Sequence, residues 1–320
     1  MFDPILVPLD GSLLAECVLP HAVATARAFE AKVVLLRVLG QNQANDTTNL
    51  VNLVNWQIKK TEAKLYLERV GTQLKKWGLQ TQTAVWEGLV AEWITEYAQA
   101  QKMKLIILSS HGQSGLSQWG ISSVVQKIIY SAQTSLLIVR AHQPVASELA
   151  EQHYKQLLVA LDGSQRAEYV LPMITLLARF HKAQIHIVHV VKAPEMARHM
   201  PLTREDVDLS NRIVARNREE AANYLDQLQL RSPLDGINVQ THLLTSDNVA
   251  TVLHRFVEQE HIDLVALSAH GYSGNNSWPY GSIVNNFIMY SKVPLLIVQD
   301  LPAKHQPIQV DVAVRERAGN

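Results

Sequence analysis

The sequence predicts an α/β protein of two tandem doubly wound domains, each a five-stranded parallel sheet flanked by helices. Three observations carry this. Val7-Pro8-Leu9-Asp10-Gly11-Ser12 recurs as Val159-Ala160-Leu161-Asp162-Gly163-Ser164, and Ala15-Glu16 with Val18-Leu19-Pro20 recurs as Ala167-Glu168 with Val170-Leu171-Pro172, all at an offset of 152. Short runs rich in Val, Ile and Leu alternate with longer helical patterns. Several of those runs are apolar without interruption, as parallel strands covered on both faces by helices must be.

The repeat continues to the end of each copy. Ser110-His111-Gly112-Gln113-Ser114-Gly115 returns as Ala269-His270-Gly271-Tyr272-Ser273-Gly274 at an offset of 159, so seven residues are gained in between, placed here between Val191 and Ser210. Ser135-Leu136-Leu137-Ile138-Val139 is echoed by Pro294-Leu295-Leu296-Ile297-Val298. A unit of about 140–150 residues far exceeds the ~20–50 of solenoids and propellers, so this is domain duplication. The expected division is a first domain over 1–142, a second over 153–300 and a flexible tail over 301–320.

In chain order, the first copy offers strands at Ile5–Leu9, Val33–Leu39, Thr81–Trp86, Leu105–Leu108 and Leu136–Val139. Ala141–His153 contains a proline, polar residues and little periodicity, and reads as a linker. The second copy offers Leu157–Leu161, Ile185–Val191, Val239–Leu243, Leu264–Leu267 and Leu295–Val298. After Gln299 the chain carries two prolines and loses amphipathic order, which is the reason to expect a loosely held tail from Asp300 onward.

Composition narrows the function. Hydrophobic residues make up 47% and charged residues 18%, the balance of a chain that folds over most of its length. Lys plus Arg equals Asp plus Glu at 29 each, so no net field gathers nucleic acid or anionic lipid around the molecule. Cys17 is the sole cysteine, which rules out an intramolecular disulfide and a cysteine metal cluster and fits a reducing compartment. Met1-Phe2-Asp3-Pro4 enters an apolar run without a basic leader, and no apolar stretch approaches the ~20 residues of a spanning helix. The expectation is a cytoplasmic protein without a membrane partner.

In an open parallel sheet, ligands bind beyond the carboxyl ends of the strands, where the strand order reverses. Two loops per copy have suitable composition: the one after the first strand and the one after the fourth. If those strands are neighbours, both loops open onto one crevice. Asp10 and Asp162 end the first strand directly before Gly-Ser, which suits either a helix cap or Asx-turn, or a ligand contact. Gly271, nine residues, then Gly281-Ser282 opening a helix with Ile283-Val284 brings backbone N–H groups, a hydroxyl and a helix N-terminus together, a cradle for phosphate oxygens. No Walker A loop exists in the chain.

These two features together resemble the universal stress protein family, in its tandem form: the strand-end aspartate with Gly-Ser, and a Gly-x2-Gly-x9-Gly-Ser/Thr loop followed by a strand like Pro-Leu-Leu-Ile-Val. The resemblance covers about residues 1–140 and 153–299. It implies strand order 3-2-1-4-5, and ATP held with adenine near the aspartate, phosphates in the glycine loop, and Mg or Mn on the phosphates. Carried over residue by residue, the second copy supplies Ala160, Asp162, Val190, Ser268, Gly271, Gly281, Ser282 and Ile283. A weaker second site would consist of Pro8, Asp10, Val38, Ser109, Gly112, Ser122, Ser123 and Val124.

Two departures qualify the carry-over. Ser268 and Ser109 replace the first glycine of the motif, a mild change where φ is negative. Ser122-Ser123 replaces Gly281-Ser282 in the first copy, so a Cβ stands where phosphate oxygens approach the backbone, and Gly120 lies two positions too early to substitute. Nucleotide is therefore expected mainly in the second domain. The resemblance further implies a regulatory role in stress response toward an unidentified protein partner, and pairing of fifth strand with fifth strand inside the chain, with homodimerisation of whole chains left open. No carboxylate or histidine outside the motif stands out as a water-positioning base, so no catalytic residue is assigned. Slow ATP hydrolysis and a nucleotide-free interaction module are the alternatives.

The remaining candidates read as structural. His186 and His189 are three apart on one strand and face opposite sides, so they cannot chelate one ion together, and no metal ligand is assigned. His111 and His270 read as loop or packing residues. Trp119 and Trp278 flank the loop as packing residues, with base stacking as the alternative. Arg216-Asn217-Arg218-Glu219-Glu220 is mixed in sign and reads as a solvated helix face.

Overall fold

A computed structural model describes residues 2–40, 50–112, 121–141, 152–194, 203–230, 234, 236–272 and 279–300, with backbone alone at 50–53. The first domain runs β1 (Ile5–Pro8), α1 (Leu19–Phe29), β2 (Val33–Leu39), α2 (Leu50–Lys76), β3 (Thr81–Glu87), α3 (Val90–Ala100), β4 (Leu105–Ser109), α4 (Ser123–Ser131) and β5 (Ser135–Val139). The second repeats it as β6 (Gln156–Ala160), α5 (Leu171–His181), β7 (Gln184–Val191), α6 (Arg204–Gln229), β8 (Val239–Thr245), α7 (Val249–Gln259), β9 (Leu264–Ser268), α8 (Ser282–Tyr290) and β10 (Leu295–Val298). Every expected strand is present, with no end moved by more than two residues.

Local chemistry starts the helices. Pro20 and Pro172 sit in the first turns of α1 and α5, where a missing N–H is harmless. Asn248 caps α7 by accepting from Thr251 N at 3.0 Å, and Thr203 with Asp206 forms a capping box on α6.

The strands form one ten-stranded sheet in the order β3-β2-β1-β4-β5-β10-β9-β6-β7-β8. Within each domain the pairing is parallel and the order is 3-2-1-4-5, so the reversal falls between β1 and β4, and between β6 and β9. The domains join where β5 and β10 run antiparallel, with Leu137 opposite Leu296. These two strands are apolar and buried on both faces, so each covers an edge that would otherwise be open to pairing with another chain. One face of the sheet packs α1, α2, α5 and α6 over Val7, Leu35, Val159 and Ile187. The other packs α3, α4, α7 and α8 over Leu6, Leu36, Leu158 and Val188.

Three details differ from the sequence expectation. Four residues separate Lys76 from Thr81, but nine separate Gln229 from Val239, so most of the extra length of the second domain follows α6 and does not precede it. Repeat matching misses this because neither segment carries a motif to align. The segment read as linker begins with Ala141, which is buried and donates its N–H to Ser110 Oγ at 3.1 Å, and ends beside Tyr154, which is fully buried with its hydroxyl 2.8 Å from His21 Nδ1 of the first domain. Asp300, the point where order was expected to fade, is also buried. Residues 301–320 and most of the linker lie outside the described residues.

Candidate functional site

The aspartate just after the first strand of each domain closes a turn, and in the second domain it also binds two loops together. Asp162 Oδ1 accepts from Ser164 N at 3.0 Å, closing an Asx-turn that the positive φ of Gly163 (83°) permits. Its Oδ2 accepts from Tyr272 N at 2.6 Å, in the loop after β9. That oxygen occupies the place a side chain on residue 271 would need, since a Cβ on Gly271 would lie 2.1 Å from it. The first domain repeats the turn and the close approach: Asp10 Oδ1 accepts from Ser12 N at 2.9 Å, and a Cβ on Gly112 would lie 2.0 Å from Asp10 Oδ2. The sequence alternatives of cap or ligand contact omitted this tie across the crevice.

The two glycine loops differ at the helix they open. Gly281 is the N-cap of α8, donates its N–H to Ala269 O at 2.9 Å and offers the helix no side-chain cap. Ser122 holds the same place before α4, donates its N–H to Ser110 O at 3.0 Å, and turns its hydroxyl inward to accept from Val125 N at 3.3 Å. Both backbones are ordinary, with φ of −68° and −60°, so the fold itself does not require glycine at 281. The consequence of serine is therefore more specific than an intruding Cβ: its side chain consumes an N–H that an anion would otherwise use.

A second asymmetry lies at the end of the fourth strand. Ser109 Oγ donates to His111 O at 2.7 Å and accepts from the Cys17 thiol at 3.4 Å. Ser268 Oγ, its counterpart, is buried and has no partner among the described residues. Its hydrogen-bonding capacity is therefore not spent on the described residues, unlike that of Ser109.

All eight residues assigned to the second domain line one cleft at the carboxyl ends of β6 and β9. Its volume is about 210 Å³, and a further cavity of about 400 Å³ adjoins it across Asp162 and Val190. Val188, Leu267, Val249 and Leu253 add an apolar floor that sequence reasoning did not include. The eight residues of the first domain also gather in one cleft, of about 400 Å³, which Arg37 enters. Room alone therefore does not separate the two domains; the polar groups at the helix N-terminus do.

The sequence profile described as the universal stress protein family matches residues 1–140 and 153–299, one copy per domain. The chain belongs to the universal stress protein family. A relative from Methanocaldococcus jannaschii, universal stress protein MJ0531, is 28% identical over 147 residues, which covers 44% of this chain and 83% of that one. The crystal structure of a universal stress protein from Archaeoglobus fulgidus shares the fold over 94% of this chain and all of its own, with a TM-score of 0.64 at 17% identity. A universal stress protein solved in complex with cAMP aligns with 47% of this chain at 16% identity and a TM-score of 0.32.

One cluster of this tandem universal stress protein was not legible beforehand. Asp300, its side chain fully buried, accepts from Arg166 Nε at 2.6 Å and lies 2.7 Å from His270 Nδ1. The charge of Asp300 is thus compensated inside the fold, and His270, directly before Gly271, is held by it. In the first domain Leu14 and Ala141 stand where Arg166 and Asp300 stand, and His111 Nδ1 instead meets Ser110 Oγ at 3.1 Å. The joint change at Leu14/Arg166 and Ala141/Asp300 was the available signal. His186 and His189 do face opposite sides: His186 meets His242 and Gln156, whereas His189 lies near Gly163. Among the described residues no group of three or more His, Cys, Asp or Glu could hold a metal ion, and no helix is long and apolar enough to cross a membrane. Gly115, Trp119, Gly120, Gly274 and Trp278 lie outside the described residues.

Proposed function

We propose that the second domain binds an adenine nucleotide, ATP with Mg or Mn, and that the first domain binds it weakly or not at all. The carrying observation is the contrast at α8 and α4: Gly281 leaves the helix N-terminus without a side-chain cap, whereas Ser122 caps its own helix. Phosphate oxygens would take the N–H groups beyond Gly281 and the Ser282 hydroxyl, where the helix dipole favours negative charge. Ser268 Oγ, buried without a partner, supports the reading as a group awaiting a ligand. The adenine and ribose would lie over Ala160, Val190 and Ile283 beside Asp162, on the apolar floor of the cleft. Gly271 completes the wall. The divalent ion would be carried by the phosphates, whose charge it offsets, since no cluster of protein ligands stands there among the described residues.

The reading makes the protein a regulator, in the cytoplasm, whose nucleotide state alters its stability or its partner in a stress response. The first domain then serves as an interaction and support module, a role its capped helix favours. Mass spectrometry of small molecules released from freshly purified, denatured protein tests this. Copurifying adenine nucleotide at about one per chain supports it, and failure to find or to reload any adenine nucleotide rejects it.

A further inference from the structure

The residue directly before Gly281 reaches out of its own domain. Tyr280 is 2% exposed, and its hydroxyl donates to Ile129 O, in the last turn of α4 of the first domain, at 2.8 Å. Its ring also meets Tyr130, with centroids 6.4 Å apart. Its own carbonyl accepts from Asn285 Nδ2 at 3.1 Å, one turn into α8. The backbone at 280–281 is therefore held from three directions: by Ala269 O through Gly281 N, by α8 through Asn285, and by the first domain through the hydroxyl. A reciprocal contact secures the other end of the same helix. Arg140, just beyond β5 in the first domain, donates to Phe287 O and Ile288 O, two carbonyls of the last turn of α8.

These ties run one way in their chemistry. Ile121 is the counterpart of Tyr280 and Gln299 that of Arg140, so α4 receives no matching hydroxyl or guanidinium from the second domain at those positions. The domain whose helix N-terminus lacks a cap is the one whose helix is gripped from outside. Burial raises the Tyr280 hydroxyl above the ordinary tyrosine range, which keeps it a donor at any physiological pH.

We propose that Tyr280 is a positioning residue for the phosphate end of the second-domain site, so that the first domain supplies part of the framework that site requires. The inference deepens the nucleotide reading above and rests on it. Removing the hydroxyl frees the 280–281 backbone on one side, and the N–H groups behind Gly281 lose their fixed aim. Only the phosphate end should feel this, because Asp162, Val190 and the apolar floor are held by other elements.

The test uses the full chain with Tyr280→Phe, which keeps the ring, and Tyr280→Ile, which installs the residue of the twin position. Affinities for ATP with Mg and for adenosine, which has no phosphate, are measured by titration calorimetry beside thermal melts. The expected result is a loss of ATP affinity of about three- to ten-fold in Tyr280→Phe, the worth of one neutral hydrogen bond, with adenosine affinity unchanged. Equal loss for both ligands, or no loss for either, overturns the positioning role. If the unaltered chain binds neither ligand, the nucleotide reading itself fails, and the two failures are told apart by that control.

Discussion

Gly271 and Asp162 specify each other, since a Cβ at 271 would stand 2.1 Å from Asp162 Oδ2, closer than any real contact. The bond from Tyr272 N to that oxygen depends on the vacancy. Gly271→Ala should therefore displace the carboxylate, open the crevice between the two loops and destabilise the chain by roughly 1–3 kcal/mol. Urea unfolding checks the stability, and ATP titration should show weaker binding. A variant with unaltered stability and affinity would mean the loops are held by something other than this pair.

Asp162 itself follows from the same geometry. Asp162→Ala removes an acceptor from both Ser164 N and Tyr272 N, and should lower stability by about 1–2 kcal/mol together with ATP affinity. The dependence of binding on Mg should persist, because the ion travels with the phosphates. Loss of stability with full ATP affinity would reduce Asp162 to a loop tie alone.

The contrast between Gly281 and Ser122 can be exchanged. Gly281→Ser supplies the missing cap to α8 and should stabilise the chain by a few tenths of a kcal/mol while weakening ATP binding. Ser122→Gly should cost only a few tenths of a kcal/mol and make the first cleft more receptive. Thermal melts and nucleotide titrations on the two variants give the signs. Opposite signs for stability and affinity in Gly281→Ser are the signature sought.

The buried ion cluster makes a stability prediction. Asp300→Ala leaves Arg166 and His270 without their carboxylate and should destabilise the second domain by about 3–5 kcal/mol. Arg166→Leu combined with Asp300→Ala reproduces the residues of the first domain, so the double variant should be more stable than Asp300→Ala alone. Denaturant midpoints decide this, and a double variant weaker than the single would contradict the account.

The seam between the domains should respond to acid. His21, beside Tyr154, has its pKa lowered by burial to about 4 from the ordinary 6.5. The unfolded chain takes up a proton below about pH 6.5 that the native chain refuses until about pH 4, so this stability is complete above 6.5 and lost on descending toward 4. The side chain retains some contact with water, which reduces the effect to roughly 1–3 kcal/mol. Urea unfolding of His21→Gln should vary less with pH over that window than the unaltered chain.

Much of this was legible because duplication prints the same logic twice. Val7 to Ser12 and its echo locate β1 and β6 and the turns after them, and continuous apolar runs such as Leu105–Leu108, short and bounded, read as strands covered on both faces. The residues that line the two clefts were reachable because backbone chemistry, glycine and a helix start, leaves a mark in sequence. What escaped depends on contacts between segments distant in the chain. Asp300 looked like the start of a tail, since nothing local reveals that Arg166, 134 positions earlier, meets it. Tyr280 looked like an ordinary aromatic residue beside a glycine, because its partner is a carbonyl of the other domain. The placement of the extra residues failed for a related reason: the loop after α6 has no motif with which to fix an alignment.

Titration calorimetry of the full chain with ATP and Mg tests the central claim most directly. One strong site per chain is predicted, abolished or sharply weakened by Gly281→Ser and left intact by Ser122→Ala. Two equal tight sites, or a single tight site indifferent to Gly281→Ser, would contradict the assignment of the nucleotide to the uncapped helix of the second domain.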